Sequence, residues 1–109
     1  MAIVFAATFL LAAGEVAAES RTFDLTLRNG ELPAERRVVR VRQGDEVTLN
    51  WTTDKALVIH LHGYDIETSL SPAIPALMRF TARASGRFPV EIHGRGGHRV
   101  LAHVEVHPR

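Results

Sequence analysis

The sequence has 109 residues, a formal net charge of +1 and no cysteine. Its length is that of one domain, and the lack of cysteine excludes disulfides, thiolate nucleophiles and thiolate metal ligands. The 13 basic residues, all but one of them arginine, are scattered along the chain, with only one Trp and one Tyr beside them. Because nucleic-acid binding needs a clustered basic surface with stacking residues, nucleic acid is not an expected partner.

The N-terminal segment, residues 1–18, has the pattern of a secretory signal peptide. An apolar run begins at Ala2, and Val16 and Ala18 supply the small residues of a cleavage site. Cleavage after Ala18 would leave residues 19–109 as the domain and predicts a periplasmic or secreted protein. The run is shorter than the roughly 20 apolar residues that cross a bilayer, so no membrane span is expected after cleavage. No Lys or Arg precedes the run, which leaves a buried N-terminal helix as the alternative.

The rest of the chain alternates apolar and polar residues, which is typical of strands with one buried face. Turn residues separate the alternating stretches, and no stretch keeps an apolar stripe at helical spacing. The pattern therefore predicts an all-β protein, an antiparallel sandwich or barrel. The clearest strands are expected, in chain order, over residues 23–28, 39–42, 47–52, 78–83 and 100–106.

Three segments, taken in order, resemble the cupredoxin family. VRVRQGDEVTLNWTTD resembles its strand–turn–strand, and HLHGYDIE resembles the strand that carries the first copper-binding His. MRFTARASGRFPVEIHGRGGHRVLAHVEV resembles the last two strands with the ligand loop between them. The resemblance covers about residues 36–108 and implies a Greek-key β-sandwich or barrel of about 7–8 strands.

The sequence departs from the blue-copper members of that family at two ligand positions. Ile92 stands where they usually carry the Cys ligand, and Leu101 best matches the axial Met. Met78 lies too early in the chain to replace it. Because a type 1 copper site depends on one Cys thiolate, blue-copper electron transfer is excluded whatever the fold.

Histidines are the ligands that remain. The resemblance implies that His62 occupies the first-ligand position and that His98 occupies the second, with His93 next to the missing Cys. His60 shares a strand face with His62, because side chains two residues apart point the same way. These four imidazoles suit Cu(II), Zn(II) or Ni(II), and the affinity order favours copper. Metal ligation by His62, His93, His98 and His60 is the resulting hypothesis.

Charged residues near these histidines have two interpretations. Asp65 and Glu67 are oxygen ligands or acceptors for an imidazole in one, and exposed strand charges in the other. Arg95 and Arg99 lie in the ligand loop, where their charge would repel a cation. The histidines themselves have the alternative of a solvent-facing role, which is the expected one for the remaining two, His103 and His107.

Three functions are compatible with these residues. The first is an exported protein that handles copper, or a similar divalent metal, through the His cluster. The second is a metal-free β-sandwich that docks on an envelope protein, since both the thiolate and the axial Met are missing. The third, a copper-dependent oxidase or reductase, lacks support because a small single domain offers no second redox centre and no pocket between domains. No catalytic arrangement is recognisable, so the chain is not expected to be an enzyme.

Overall fold

The structure, a computed structural model, describes residues 3–4, 18–94 and 97–109. The predicted signal peptide lies almost wholly outside the described residues, as do Arg95 and Gly96 of the ligand loop. No helix among the described residues is long and apolar enough to cross a membrane. Eight strands are described: β1 Ser20–Leu27, β2 Val38–Arg42, β3 Glu46–Thr53, β4 Leu57–Leu61, β5 Ile66–Leu70, β6 Ala76–Thr81, β7 Gly86–Gly94 and β8 Gly97–His107.

The strands form two sheets packed face to face, which confirms the predicted all-β sandwich. One sheet has the order β1-β3-β6 and the other the order β2-β8-β7-β4-β5, so the chain crosses between the sheets as in a Greek key. The pairing is not wholly antiparallel, however, since β1 lies parallel to β3 and β2 lies parallel to β8. Alternation along a strand shows which face is buried but carries no information on strand direction, which explains the difference.

The core lies between the sheets and consists of the apolar residues that alternate along each strand. Trp51 of β3 is fully buried, as are Ile59 and Leu61 of β4 and Val90 of β7. Burial of each such side chain contributes about 1.5–3 kcal/mol to stability. Because Ile59, Leu61 and Val90 point into the core, the residues that alternate with them along β4 and β7 point to the outer surface of the five-stranded sheet.

A β-bulge in β8 changes which residues face outward. Val90 pairs with Ala102 while its neighbour Glu91 pairs with Val100, so Leu101 is an extra residue between the two pairs. Leu101 and Ala102 are both buried, and Val100 is exposed. An extra residue in one strand reverses the alternation of side chains beyond it, here for the residues that precede Leu101. The bulge therefore places His98 on the outer face, and the alternation predicted over residues 100–106 holds only from Ala102 onward.

A buried carboxylate joins the β2–β3 turn to both ends of the domain. Asp45 is 1% exposed and accepts hydrogen bonds from the backbone N–H groups of Arg42 (2.9 Å) and Glu19 (3.2 Å) and from the Arg109 guanidinium. Burial alone would raise the pKa of Asp45. The two N–H donors, followed by the charges of Arg109 and Arg21, outweigh burial and hold that pKa below its ordinary value.

Candidate metal centre

Strand β4 and the turn after it position His60 and His62. Ile59 and Leu61 are buried in the core, so His60 points to the outer face. The His62 N–H donates to the Pro89 carbonyl at 3.0 Å, which continues the pairing of β4 with β7 by one residue. The His60 Nδ1 and His62 Nε2 atoms lie 3.4 Å apart. The two histidines are therefore side by side, as their spacing predicted.

Gly63 is required for the turn that follows His62. Its φ is +84°, and a Cβ at this position would overlap the ring of Phe88. The next residue, Tyr64, packs its ring against those of Phe80 and Phe88, with centroids 4.8 and 5.0 Å away. This aromatic packing fixes the chain directly after His62 and with it the position of the imidazole.

Strand β7 brings Glu91 and His93 to the same outer face. In the register of β4 and β7, Glu91 lies opposite His60. The His62 Nε2 is 3.1 Å from the Glu91 Oε2, and the ring centroids of His60 and His93 are 5.2 Å apart. Residues from two neighbouring strands thus converge without any long loop.

The β7–β8 hairpin adds His98. It lies directly opposite His93 in the register, with ring centroids 4.6 Å apart, because the bulge at Leu101 turned it outward. The His98 Nδ1 is 3.7 Å from the same Glu91 oxygen that faces His62. All four predicted histidines therefore lie on one surface of the molecule.

Two groups of these side chains have the spacing needed to hold a metal ion. The first is His60, His62 and His93, and the second is Glu91, His93 and His98; within each group the potential ligand atoms lie within 4.8 Å of one another. The sequence hypothesis placed His62, His93 and His98 together with His60 assisting. The structure instead groups His60 with His62 and His93, and joins His98 to His93 through Glu91.

The imidazole of His93 has an unsatisfied nitrogen. Its Nε2 is buried and has no hydrogen-bond partner among the described residues. Buried polar atoms normally have a partner, and each exception calls for a specific explanation. Asn50, Trp51 and Tyr64 also bury one such atom. His93, in addition, belongs to both groups of potential metal ligands. An ion on this nitrogen would supply the missing partner.

The charged residues near the predicted histidines differ in how close they lie to the cluster. Asp65 is exposed, with one carboxylate oxygen 3.4 Å from the His60 Nε2, whereas Glu67 belongs to neither group. The Arg99 guanidinium is drawn away to Glu31 (3.0 Å) and to the Gly30 carbonyl (2.8 Å), which reduces its repulsion of a cation. Of the two loop arginines, only Arg99 lies among the described residues, and its charge is paired with Glu31 and not directed at the cluster.

The remaining two histidines lie outside both groups, as expected. His107 is exposed and lies 3.4 Å from the Glu105 carboxylate. His103 is half-buried, and burial, followed by the positive charge of Arg87, lowers its pKa from the ordinary value. Neither residue contributes a ligand atom to the groups found among the described residues.

Sequence reasoning missed Glu91. Its carboxylate is the one oxygen donor in the two groups, and it contacts both His62 and His98. The available signal was its position two residues before His93, since alternation places both on the same face of β7. Only Asp65 and Glu67 were considered as oxygen donors, because they are close in sequence to His62, and closeness in sequence does not reflect pairing between strands.

The residues that match the missing type 1 ligands belong to the core. Ile92 is buried opposite Ile59, and Leu101 is buried at the bulge. Both are aliphatic and offer no donor atom, so the residues present do not fit a type 1 copper ion. The histidine cluster lies on the other face of β7 from Ile92. The potential metal site is thus displaced from the core to the outer surface of the sheet.

Comparison with solved structures identifies the fold. A copper-binding protein, whose apo form was determined in solution by NMR, superposes with a TM-score of 0.64 at 9% identity, over 83% of this chain and 96% of that chain. The multicopper oxidase mgLAC gives a TM-score of 0.65 at 19% identity, over 84% of this chain and 40% of the oxidase. The fold is cupredoxin-like.

A further match has the same character. A multi-copper oxidase from Pseudomonas thermotolerans superposes with a TM-score of 0.64 at 18% identity, over 85% of this chain and 31% of the oxidase. This chain therefore spans less than half the length of both oxidases. No protein-family model matches the sequence, and no curated protein does. Identities this low show the fold, and the resemblance predicted from the sequence is confirmed at that level.

Proposed function

We propose that this chain is an exported copper-binding protein that handles the metal and is not an enzyme. The ion binds to the outer-face cluster, which comprises His60, His62, Glu91, His93 and His98. Copper is the preferred ion, and zinc suits the same donors. The proposed role is capture and delivery, and blue-copper electron transfer is not proposed, because the chain has no thiolate to build a blue-copper centre.

The convergence of three imidazoles is the observation that carries this proposal. His60, His62 and His93 come from two adjacent strands and bring their ligand atoms within 4.8 Å of one another. Strands of a packed sheet are rigid, so an ion would find the donors already close together. The unpaired buried Nε2 of His93 gives an independent reason for an ion at this place.

The donor set accounts for the preference among metals. Imidazole nitrogens suit copper and zinc, and a single carboxylate adds an oxygen donor without making the site hard enough for calcium or magnesium. Glu91 also supplies negative charge next to His62 and His98, which offsets the charge of a divalent ion. Cu(II) bound by these donors would give the spectrum of a tetragonal site with mainly nitrogen ligands.

Titration of the purified protein with Cu(II), followed by visible absorption and EPR, tests this function. The expected result is one tightly bound ion with a weak d–d band. A variant with His60, His62 and His93 changed to Ala should lose it. The matched control changes His103 and His107 to Ala, which removes two imidazoles outside the cluster and should leave binding intact.

Two results of this titration would contradict the proposal. If the triple variant binds as the parent does, the proposed site is wrong, and if Cu(II) binds only loosely and spreads over many sites, the copper function is wrong. The metal-free interaction module of the envelope would then be the better interpretation, and the search would turn to protein partners.

A further inference from the structure

The two ligand groups on the outer face overlap. We call His60, His62 and His93 the inner set, and Glu91, His93 and His98 the outer set. His93 belongs to both. The Glu91 Oε2 lies 3.1 Å from the His62 Nε2 and 3.7 Å from the His98 Nδ1, so it also connects them. The sets are therefore neighbouring positions on one continuous surface, and an ion that takes His93 in one set removes it from the other.

The two sets differ in their access to solvent. The His98 side chain is 66% exposed, that of His62 is 40% exposed, and that of His60 is 17% exposed. His93 and His98 also line an open groove between β4 and the β7–β8 hairpin, together with the half-buried Leu57 and Val58. Glu91 is only 20% exposed, so the difference in access comes from His98, which an ion arriving from solvent meets first.

We propose that a single divalent ion uses the two sets in succession, entering and leaving through the outer set and resting in the inner set. This inference rests on the proposed copper-binding function and adds a route to it. The transfer is a ligand exchange: the His98 nitrogen and the Glu91 oxygen leave the ion as the nitrogens of His60 and His62 bind. His93 stays bound throughout, and the oxidation state of the ion does not change.

An overlapping pair of positions gives a kinetic advantage. Release from a site whose ligands all hold the ion at once requires several bonds to break before a new ligand arrives. A neighbouring donor lowers that barrier, because each bond is replaced as it breaks. His98 therefore acts as the point of exchange, whereas His62 holds the ion at rest, and removing the two should change the release rate in opposite directions.

Stopped-flow transfer of Cu(II) from the loaded protein to excess EDTA tests the route. His62→Ala is expected to speed release about tenfold, and His98→Ala to slow it about tenfold, at the low end of the roughly 10–100-fold by which even the outer-shell partners of metal ligands change metal affinity. His107→Ala, which removes an exposed histidine from the same strand as His98, should match the parent. Thermal unfolding of each variant checks that the fold is intact.

The outcomes separate this inference from the function beneath it. If the parent binds no Cu(II), both proposals fail. If the parent binds one ion and His98→Ala speeds release as His62→Ala does, the four histidines form one site and only the route is wrong. The route also fails if His98→Ala matches the His107→Ala control, or if the parent binds two ions at once, since both sets would then be filled together.

Discussion

Asp45 and His93 are both polar groups in protected positions, but only Asp45 has its hydrogen-bonding capacity used by the protein. The Asp45 carboxylate accepts two backbone N–H groups and contacts the Arg109 guanidinium. The Nε2 of His93 has no partner among the described residues. A satisfied buried group stabilises the fold, whereas an unsatisfied one costs stability and calls for another explanation. The contrast separates a structural residue from a candidate ligand.

The same contrast applies to their neighbours. Around Asp45 the opposite charges come from Arg109 and Arg21, and hydrogen bonds from the Glu19 N–H and the Arg109 guanidinium join these residues to the β2–β3 turn. Around His93 the neighbours are three other imidazoles and a carboxylate, which contact one another and have the spacing needed to hold a metal ion. Changes at the two places should therefore affect different properties: stability at Asp45 and metal binding at His93.

The largest expected effect is on stability at Asp45. Asp45→Asn removes the charge that faces Arg109 and leaves its donors poorly matched, at a cost of about 3 kcal/mol in the free energy of unfolding. Urea unfolding measures the loss, and Cu(II) affinity should not change. Asp54→Asn is the matched control: this exposed carboxylate accepts the Asn29 N–H, and its loss should cost at most about 1 kcal/mol. Equal losses in the two variants would contradict the structural role of Asp45.

The pH dependence of stability sharpens that assignment. The folded pKa of Asp45 lies below its ordinary value of 3.8, so the folded state holds the proton less tightly than the unfolded state does. The stabilisation is therefore complete above the unfolded pKa and is lost as the pH falls through the folded pKa. The difference in unfolding free energy between the parent and Asp45→Asn should shrink as the pH falls from about 5 to about 2. A difference that stays constant over this range would show that the charge is not responsible.

A smaller loss of stability, coupled to metal binding, is expected at Gly63. Gly63→Ala places a Cβ against the Phe88 ring at a positive φ, which should cost about 2 kcal/mol and displace the adjacent His62. Gly94→Ala is the control, because its φ is not positive and a Cβ there meets no atom within 4 Å. The midpoint temperature of unfolding and the Cu(II) affinity should both fall in Gly63→Ala and remain unchanged in Gly94→Ala. Normal Cu(II) affinity in a destabilised Gly63→Ala would mean that the turn does not position His62.

The smallest change in stability is expected at His93, and there it has the opposite sign. His93→Leu replaces an unpaired buried nitrogen with an apolar group of similar size, so stability should stay level or rise by up to about 1 kcal/mol. Cu(II) affinity should fall by at least the roughly 10–100-fold that loss of an outer-shell partner costs, because His93 is proposed to bind the ion directly. Calorimetric unfolding and metal titration of the same sample give both numbers. A variant that loses stability but keeps its Cu(II) affinity would reverse the proposed roles of Asp45 and His93.

Much of this fold follows from local sequence pattern. Alternation identified five of the eight described strands (β1, β2, β3, β6 and β8) and placed His60 and His62 on one face, because the side-chain period of a strand is two. The cupredoxin resemblance supplied the order of the segments. The parallel pairing of β1 with β3 and of β2 with β8 could not be predicted in this way, because strand direction depends on long crossovers between the sheets.

The candidate site was only partly predictable for a similar reason. His93 and its neighbour Glu91 share a face of β7 by simple alternation, yet the importance of Glu91 depends on the register with β4. The outward orientation of His98 depends on the bulge at Leu101, which arises from pairing between β7 and β8. Such irregularities follow from tertiary packing and have no clear local signal.

The central claim is that the metal position lies on the outer face of the five-stranded sheet. NMR of the ¹⁵N-labelled protein during addition of substoichiometric Cu(II) tests it most directly, because a paramagnetic ion broadens the signals of nearby amides. Broadening should be strongest at His60, His62 and His93, and weak at Trp51 in the opposite sheet. Broadening centred on His103 and His107, or spread evenly over the chain, would contradict the claim.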